Sequence, residues 1–178
     1  KVVDLSRIIV PVDPVKISRY TRMPELGPRV LFFTGGTELN TFSQKLKRYT
    51  HNSIHLVTPF DSGGSSAVLR KAFSMPAVGD LRHRLMALAD ESALGHPEVF
   101  SLFAHRLGQH ESQSELRAIV EKMRDGKHRN IKVVPEPIRS LILDYLGCFL
   151  EAAPSDFDFR RASIGNLILT GGYLRHSR

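Results

Sequence analysis

Three short polar loops hold the residues whose types and spacing suit chemistry. Thr34-Gly-Gly-Thr-Glu38 separates an apolar run from an amphipathic one, Asp61-Ser-Gly-Gly-Ser-Ser66 follows a second apolar run, and Gly79-Asp-Leu-Arg82 opens a helical pattern. Glycine lets a backbone turn sharply and approach a ligand closely. The unpaired N–H groups and dipole of a following helix then favour an anion. Gly35, Gly36 and Thr37 are therefore candidate phosphate-binding residues, with Gly63, Gly64, Ser65 and Ser66 as donors from a second wall. Asp61 suits a magnesium ion held through one carboxylate, and Arg82 suits a phosphate because a guanidinium pairs with it bidentately. Each position also has a plain structural alternative: a turn at Gly35-Gly36, a helix cap at Ser66, an N-cap at Asp80 and a solvated Arg82.

Several familiar chemistries are excluded by spacing. No Lys-Ser/Thr follows the first glycine pair, so it is not a P-loop, and the G-x-G-x-x-G dinucleotide fingerprint is missing. There is no G-x-S-x-G elbow, and the eight histidines and single cysteine form no zinc pattern. His83, one turn beyond Asp80, reads as a surface histidine, as do His105 and His110. Cys148, in an apolar helical pattern, reads as a core residue and has no partner for an internal disulfide.

The elements that must position these loops follow from hydrophobic periodicity. Residues 1–28 are punctuated by Pro11, Pro14, Pro24, Gly27 and Pro28, which interrupt every helical pattern; a short strand at Ile8–Val10 fits, and the segment reads as an N-terminal arm. Arg29–Thr34 reads as a strand of the kind buried in a parallel sheet, the segment from Leu39 as an amphipathic helix, and Ser53–Thr58 as a second strand. That order is a βαβ unit with a right-handed crossover. Helices then follow at Ala67–Phe73, Leu81–Asp90, Pro97–Leu107, Ser112–Arg124 with a capping box, and Ile138–Leu150, with a short strand at Ile131–Val134. A last apolar helix begins after Ser163.

Charge supports an anionic ligand. The net charge is +7, and residues 1–90 carry 13 Lys/Arg against 7 Asp/Glu, whereas residues 91–178 carry 12 against 11. The excess lies in the half with the glycine loops. Nucleic acid is disfavoured as the partner, because aromatic residues are not interleaved with the basic ones as a stacking platform requires. No apolar run approaches the ~20 residues of a membrane span, no secretion signal opens the chain, and cysteine usage fits a reducing compartment. A cytoplasmic protein without membrane contact is expected.

The combined string Phe32-Phe-Thr-Gly-Gly-Thr-Glu-Leu39, Val57-Thr-Pro-Phe-Asp-Ser-Gly-Gly-Ser-Ser66 with Leu69-Arg70, Val78-Gly-Asp-Leu-Arg82 and Ala162-Ser-Ile-Gly-Asn-Leu167 resembles the 2-phospho-L-lactate transferase (CofD-like) family, which includes the bacterial gluconeogenesis factors. The resemblance spans about residues 29–174. It implies an α/β fold, a Rossmann-like three-layer sandwich with a mostly parallel sheet, incomplete in this chain because the family domain continues beyond its Gly-Asn-Leu helix. Residues 29–178 would then be the N-terminal part of a nucleotide-binding domain. The resemblance also implies a nucleotide or nucleotide-sugar ligand, Asn166 hydrogen-bonding that ligand from the last helix, and Mg2+ as cofactor. Three departures stand out: Glu38 occupies the fourth position of the first loop where the family has glycine, Ser62 replaces one of two paired acids, and the chain stops at Arg178.

Two functions follow from that resemblance. In one, a phospho-linked group passes from a nucleotide diphosphate donor to an acceptor, as in phospholactyl transfer, with Asp61 as the catalytic residue that orients the acceptor hydroxyl. In the other, the protein is a non-enzymatic nucleotide-sugar sensor that regulates carbon metabolism, which the loss of an acid at Ser62 favours. A homo-oligomer, or a second chain completing the domain, is compatible with either.

Overall fold

The computed structural model describes residues 11–35, 39–90 and 95–177. The expected strand at Ile8–Val10 and the loop residues Gly36, Thr37 and Glu38 lie outside them. The first described element corrects the reading of the N-terminal segment. Pro14 starts helix α1 (Pro14–Arg22) rather than breaking it, because proline at the first helical position loses no hydrogen bond and Asp13 caps the N–H groups of Val15 and Lys16. A 3-10 turn at Pro24–Leu26 leads on to the sheet. This turn is pinned to the second strand's entry by Asn52 Nδ2, which donates to the carbonyls of Glu25 and Gly27.

Strands β1 (Val30–Thr34) and β2 (Ser53–Val57) pair in parallel, with Phe32 opposite His55. Helix α2 (Asn40–Leu46) makes the crossover. On one face Phe32 meets the ring of Phe42 edge-on and stacks on His55 at 5.1 Å. The other face departs from the sequence reading. Leu31, Phe33, Ile54 and Leu56 are 50–79 % exposed, so the strands alternate in burial rather than being buried on both sides. An uninterrupted apolar run specifies a strand covered on both faces, and in this chain helices cover one. The fold is α/β, an incomplete Rossmann-like sandwich.

The main core is helical. It is built from α3 (Gly64–Phe73), α4 (Gly79–Leu88), α5 (Pro97–Ala104), α6 (Gln113–Arg124), α7 (Arg129–Lys132), α8 (Ile138–Ala152) and α9 (Ile164–His176). The capping box at α6 forms as the sequence predicts, with Ser112 and Glu115 exchanging bonds. The short strand expected at Ile131–Val134 does not form: Arg129–Lys132 is helix α7, which His128 caps by accepting from Asn130 N at Nδ1, and residues 133–134 turn out of it. Leu102, Leu116, Val120, Met123, Leu146, Phe149, Ile164 and Leu167 are wholly buried. Helix α9 is buried along Ile164–Ile168 and again at Thr170 and Gly171, which is why its sequence is apolar around much of its circumference. Cys148 is partly exposed on α8 rather than buried in the core. No helix among the described residues is long and apolar enough to cross a membrane.

Candidate functional site

The two strands end side by side, and the loops that leave them meet loops from the helical layer. The ladder continues one residue past the strands, with Thr58 N donating to Thr34 O at 2.9 Å. Gly35 follows at once, packed so closely on Thr58 that a Cβ there would lie 2.7 Å from Thr58 Cγ2 and 3.7 Å from Asp80 Oδ2. Gly35 therefore sits beside the carboxylate of Asp80.

The second loop is shaped by its own side chains. Asp61 Oδ1 accepts from Gly63 N at 2.9 Å, the short Asx turn expected of this residue. Arg70 of α3 reaches back to the carbonyls of Phe60 and Asp61, and Ala77 N donates to Pro59 O, tying this loop to the third. Helix α3 begins three residues earlier than its apolar pattern, at Gly64, with exposed Gly63 as N-cap. Ser66 is thus not the cap but a buried residue of the first turn, beside Ser65. No side chain caps α3, so its positive end stays available to an anion.

The third loop nests against the second. A Cβ on Gly79 would lie 2.7 Å from Asp61 Oδ2 and closer still to Ser66 Oγ, so only glycine admits that approach. Asp80 was expected as the N-cap of α4; Val78 holds that position, and Asp80 sits in the first turn, 7 % exposed. From the far side of the chain, Asn166 in the first turn of α9 is buried and donates from Nδ2 to Ser65 Oγ at 2.8 Å. Its Oδ1 has no partner. Gly35, Asp61, Ser65, Ser66, Gly79, Asp80 and Asn166 are therefore brought together by four separate segments. Gly64 and Gly63 lie exposed at the lip of this cleft.

Arg82 is neither solvated nor turned toward these serines. It is 4 % exposed, and its Nη1 donates to Phe103 O at 3.2 Å while Nη2 lies 2.7 Å from His83 Nε2. Burial and nearby Arg106 depress the pKa of Arg82, and burial and Arg82 depress that of His83. Arg84, which sequence reasoning passed over, is also buried and donates to Leu39 O at 3.2 Å and Ser43 Oγ at 2.5 Å, fixing the start of α2 just after the first loop. The sequence carries no signal for these residues: Leu81, Leu85 and Leu88 recur at the i, i+4, i+7 spacing that ordinarily faces a core, whereas here Leu81 and Leu85 are exposed and Arg82 and Arg84 are buried.

Among the described residues, no group of three or more His, Cys, Asp or Glu side chains is placed to hold a metal ion. Mg2+ seldom uses such a cage; it takes one or two carboxylates and completes its shell with water and phosphate oxygens. Asp61 and Asp80, both against Gly79 or Gly35, fit that requirement.

Comparison with known proteins agrees with this architecture. The family model described as 2-phospho-L-lactate transferase CofD matches residues 30–176. An uncharacterized protein of Saccharomyces cerevisiae is 31% identical over 157 residues, covering 82% of this chain and 33% of its own length. The gluconeogenesis factor of Bacillus subtilis is 38% identical over 82 residues, covering 46% of this chain and 25% of its own. That of Halalkalibacterium halodurans is 39% identical over 77 residues, or 43% and 23%. The chain thus spans a third or less of the length of these relatives. With nearly its whole length matched and the glycine loops, Gly79-Asp80 and Asn166 gathered at the strand ends, the chain belongs to the 2-phospho-L-lactate transferase CofD family.

Proposed function

We propose that this chain binds the phosphates of a nucleotide or nucleotide sugar in the cleft between the two strand ends and α9. The observation that carries the reading is the convergence of Asp61, Ser65, Gly79 and Asn166 at the carboxyl edge of a parallel sheet, where open α/β folds bind ligands. Asn166 Oδ1 is a buried polar atom without a partner, and a ligand donor or a re-oriented amide satisfies it. The open end of α3 faces the same cleft. Gly36 and Thr37 complete the phosphate-binding set of this proposal, and Arg82 contributes positive charge from behind it.

The transferase reading places a nucleotide diphosphate donor here, with displacement at phosphorus. Asp61 would orient the acceptor hydroxyl and, with Asp80, hold Mg2+, which when bound supplies charge neutralisation at the phosphate oxygens. The protein's own part is positioning and preorganised hydrogen bonding. A second reading, a nucleotide-sugar sensor without chemistry, is favoured by the single carboxylate of Asp61-Ser62 in the second loop and by the relatives named gluconeogenesis factor.

Calorimetric titration of the intact protein with guanine and uracil nucleotides, nucleotide sugars and a deazaflavin, with and without Mg2+, tests both. Guanine nucleotide and deazaflavin binding together, with turnover lost in Asp61→Asn, supports transfer. A uracil nucleotide sugar bound alone, and unaffected by Asp61→Asn, supports the sensor. No binding at all would leave the loops a structural device and remove the proposal.

A further inference from the structure

A second polar pocket, of about 350 Å³, opens between α2, α4 and α5 and is lined by Asn40, Gln44, Arg82, His83, Phe100 and Arg106 among others. Among the described residues, no Asp or Glu lines it. Its hydrogen-bonding groups are poorly satisfied by the protein. Arg82 Nε, His83 Nδ1 and Asn40 Oδ1 are all buried without a partner. The histidine tautomer follows from its neighbour. A guanidinium only donates, so His83 Nε2 accepts from Arg82 Nη2 and the proton resides on Nδ1. Arg82 Nε–H and His83 Nδ1–H are then two unpaired buried donors, and such donors are rare in folded proteins. Exposed Arg106 spends Nη1 on Arg161 O, and its side chain lies at the pocket rim.

We infer that this pocket is an oxyanion site for a phosphate-class ligand, with Arg82 and His83 as donors at its base and Arg106 at its mouth. Two positive side chains with unfilled donors, and no lining carboxylate among the described residues, suit an acceptor-only, negatively charged guest. Asn40 sets the guest's orientation, since its amide presents either an oxygen or an NH2 group after a flip. Burial and then Arg106 lower the pKa of Arg82; burial, Arg82 and Arg106 lower that of His83 against the opposing pull of Asp80 and Asp61. This site opens away from the serine cleft because Arg82 is directed at Phe103; it shares the charge of Arg82 with the nucleotide reading but rests on donors of its own.

The probe is inorganic phosphate, titrated into the full chain by calorimetry and 31P NMR. Saturable one-to-one binding is expected, with competition by sulfate but not by chloride. Arg106→Gln, an exposed change that leaves the melting temperature in place, should weaken it on the order of tenfold, and His83→Asn should weaken it as well. Ser65→Ala, in the other cleft, should leave it unchanged. Repeating the titration with saturating nucleoside diphosphate identifies the source: phosphate that still binds is a separate ligand, whereas displaced phosphate marks the place of the nucleotide's own terminal group. Absence of saturable binding, or binding that Arg106→Gln and His83→Asn do not alter, overturns the assignment. Phosphate binding abolished by Ser65→Ala alone does so too, because it relocates the anion to the serine cleft.

Discussion

Asn166 Nδ2 donates to Ser65 Oγ at 2.8 Å, joining two residues 101 positions apart. The bond links the first turn of α9 to the first turn of α3 across the candidate phosphate cleft, and both groups are shielded from water to different degrees, Asn166 almost wholly. Replacing Asn166 with Leu removes the donor and leaves Ser65 to rotate toward solvent. The expected cost is about 1–2 kcal/mol of stability, read as a lower urea midpoint. Nucleotide affinity should fall further than stability does. Affinity that survives Asn166→Leu in a folded protein would separate Asn166 from the ligand.

Gly79→Ala tests the nesting of the second and third loops. Its Cβ would sit 2.7 Å from Asp61 Oδ2 and closer to Ser66 Oγ, so one of the two loops must move. Ser66 is buried and cannot swing aside freely. Overpacking of this kind costs about 1–3 kcal/mol, and the displaced Asp61 should lose its hold on the loop through Gly63 N. Thermal unfolding and Mg2+-dependent ligand binding should therefore decline together. An alanine variant with unchanged melting and binding would show that the loops rest apart.

Much of this arrangement was legible in the sequence, for identifiable reasons. The βαβ unit was visible because an apolar run, a glycine pair and a helical period follow each other from Arg29 to Thr58, and the capping box at Ser112–Glu115 fixed α6. The loops declared themselves by glycine and serine content. The position of Asp80 did not, because a residue that opens a helix pattern reads as a cap, whereas the helix starts two residues earlier, at Gly79 packed on Ser66, and Asp80 is turned inward. Arg82, His83 and Arg84 were hidden for a related reason: three consecutive basic residues normally mark a solvated surface, and only the neighbouring α2, Phe103 and α9 bury them. The exposure of Phe33 and Leu56 was equally unreadable, because an apolar strand looks the same whether or not a partner covers its second face.

A pH dependence follows from the histidines of the helical core. The rings of His105 and His128 lie 6.3 Å apart. Burial, then Arg129, holds His105 below its ordinary value. Burial, then His105, Arg129 and Lys122, does the same for His128. An unfolded imidazole takes up its proton near pH 6.5 (about the free value), while the folded ones resist. The unfolded state therefore binds more protons as pH falls below that value, and stability declines until the folded pKa is passed. The urea midpoint should drop between about pH 7.5 and 5.5, above the carboxylate range. The double variant His105→Gln with His128→Asn, which keeps a side-chain cap for α7, should shrink the decline to the part that His55 and His83, also lowered by burial, contribute. A wild-type midpoint that does not change over this interval would show that the imidazoles titrate alike in both states.

Two phenylalanines of the same size should respond oppositely to truncation. Phe149 is fully buried, with its ring 5.6 Å from Phe73, 5.3 Å from Phe157 and 6.2 Å from Phe159. Phe149→Ala removes the centre of that cluster, and the surrounding helices α3 and α8 cannot close the gap fully. A loss of about 3–5 kcal/mol is expected, a large part of the ~5–15 kcal/mol that stabilises a typical domain. Phe33 lies on the open face of the sheet and is 79 % exposed. Phe33→Ala should change stability by no more than about 0.5 kcal/mol in this chain, and should lower any concentration-dependent self-association, because an exposed apolar sheet face is adhesive. Urea unfolding at two protein concentrations measures both effects. If Phe33→Ala proves as costly as Phe149→Ala, the face it occupies is covered in solution, and the unfolding midpoint should then rise with protein concentration if the cover is a second copy.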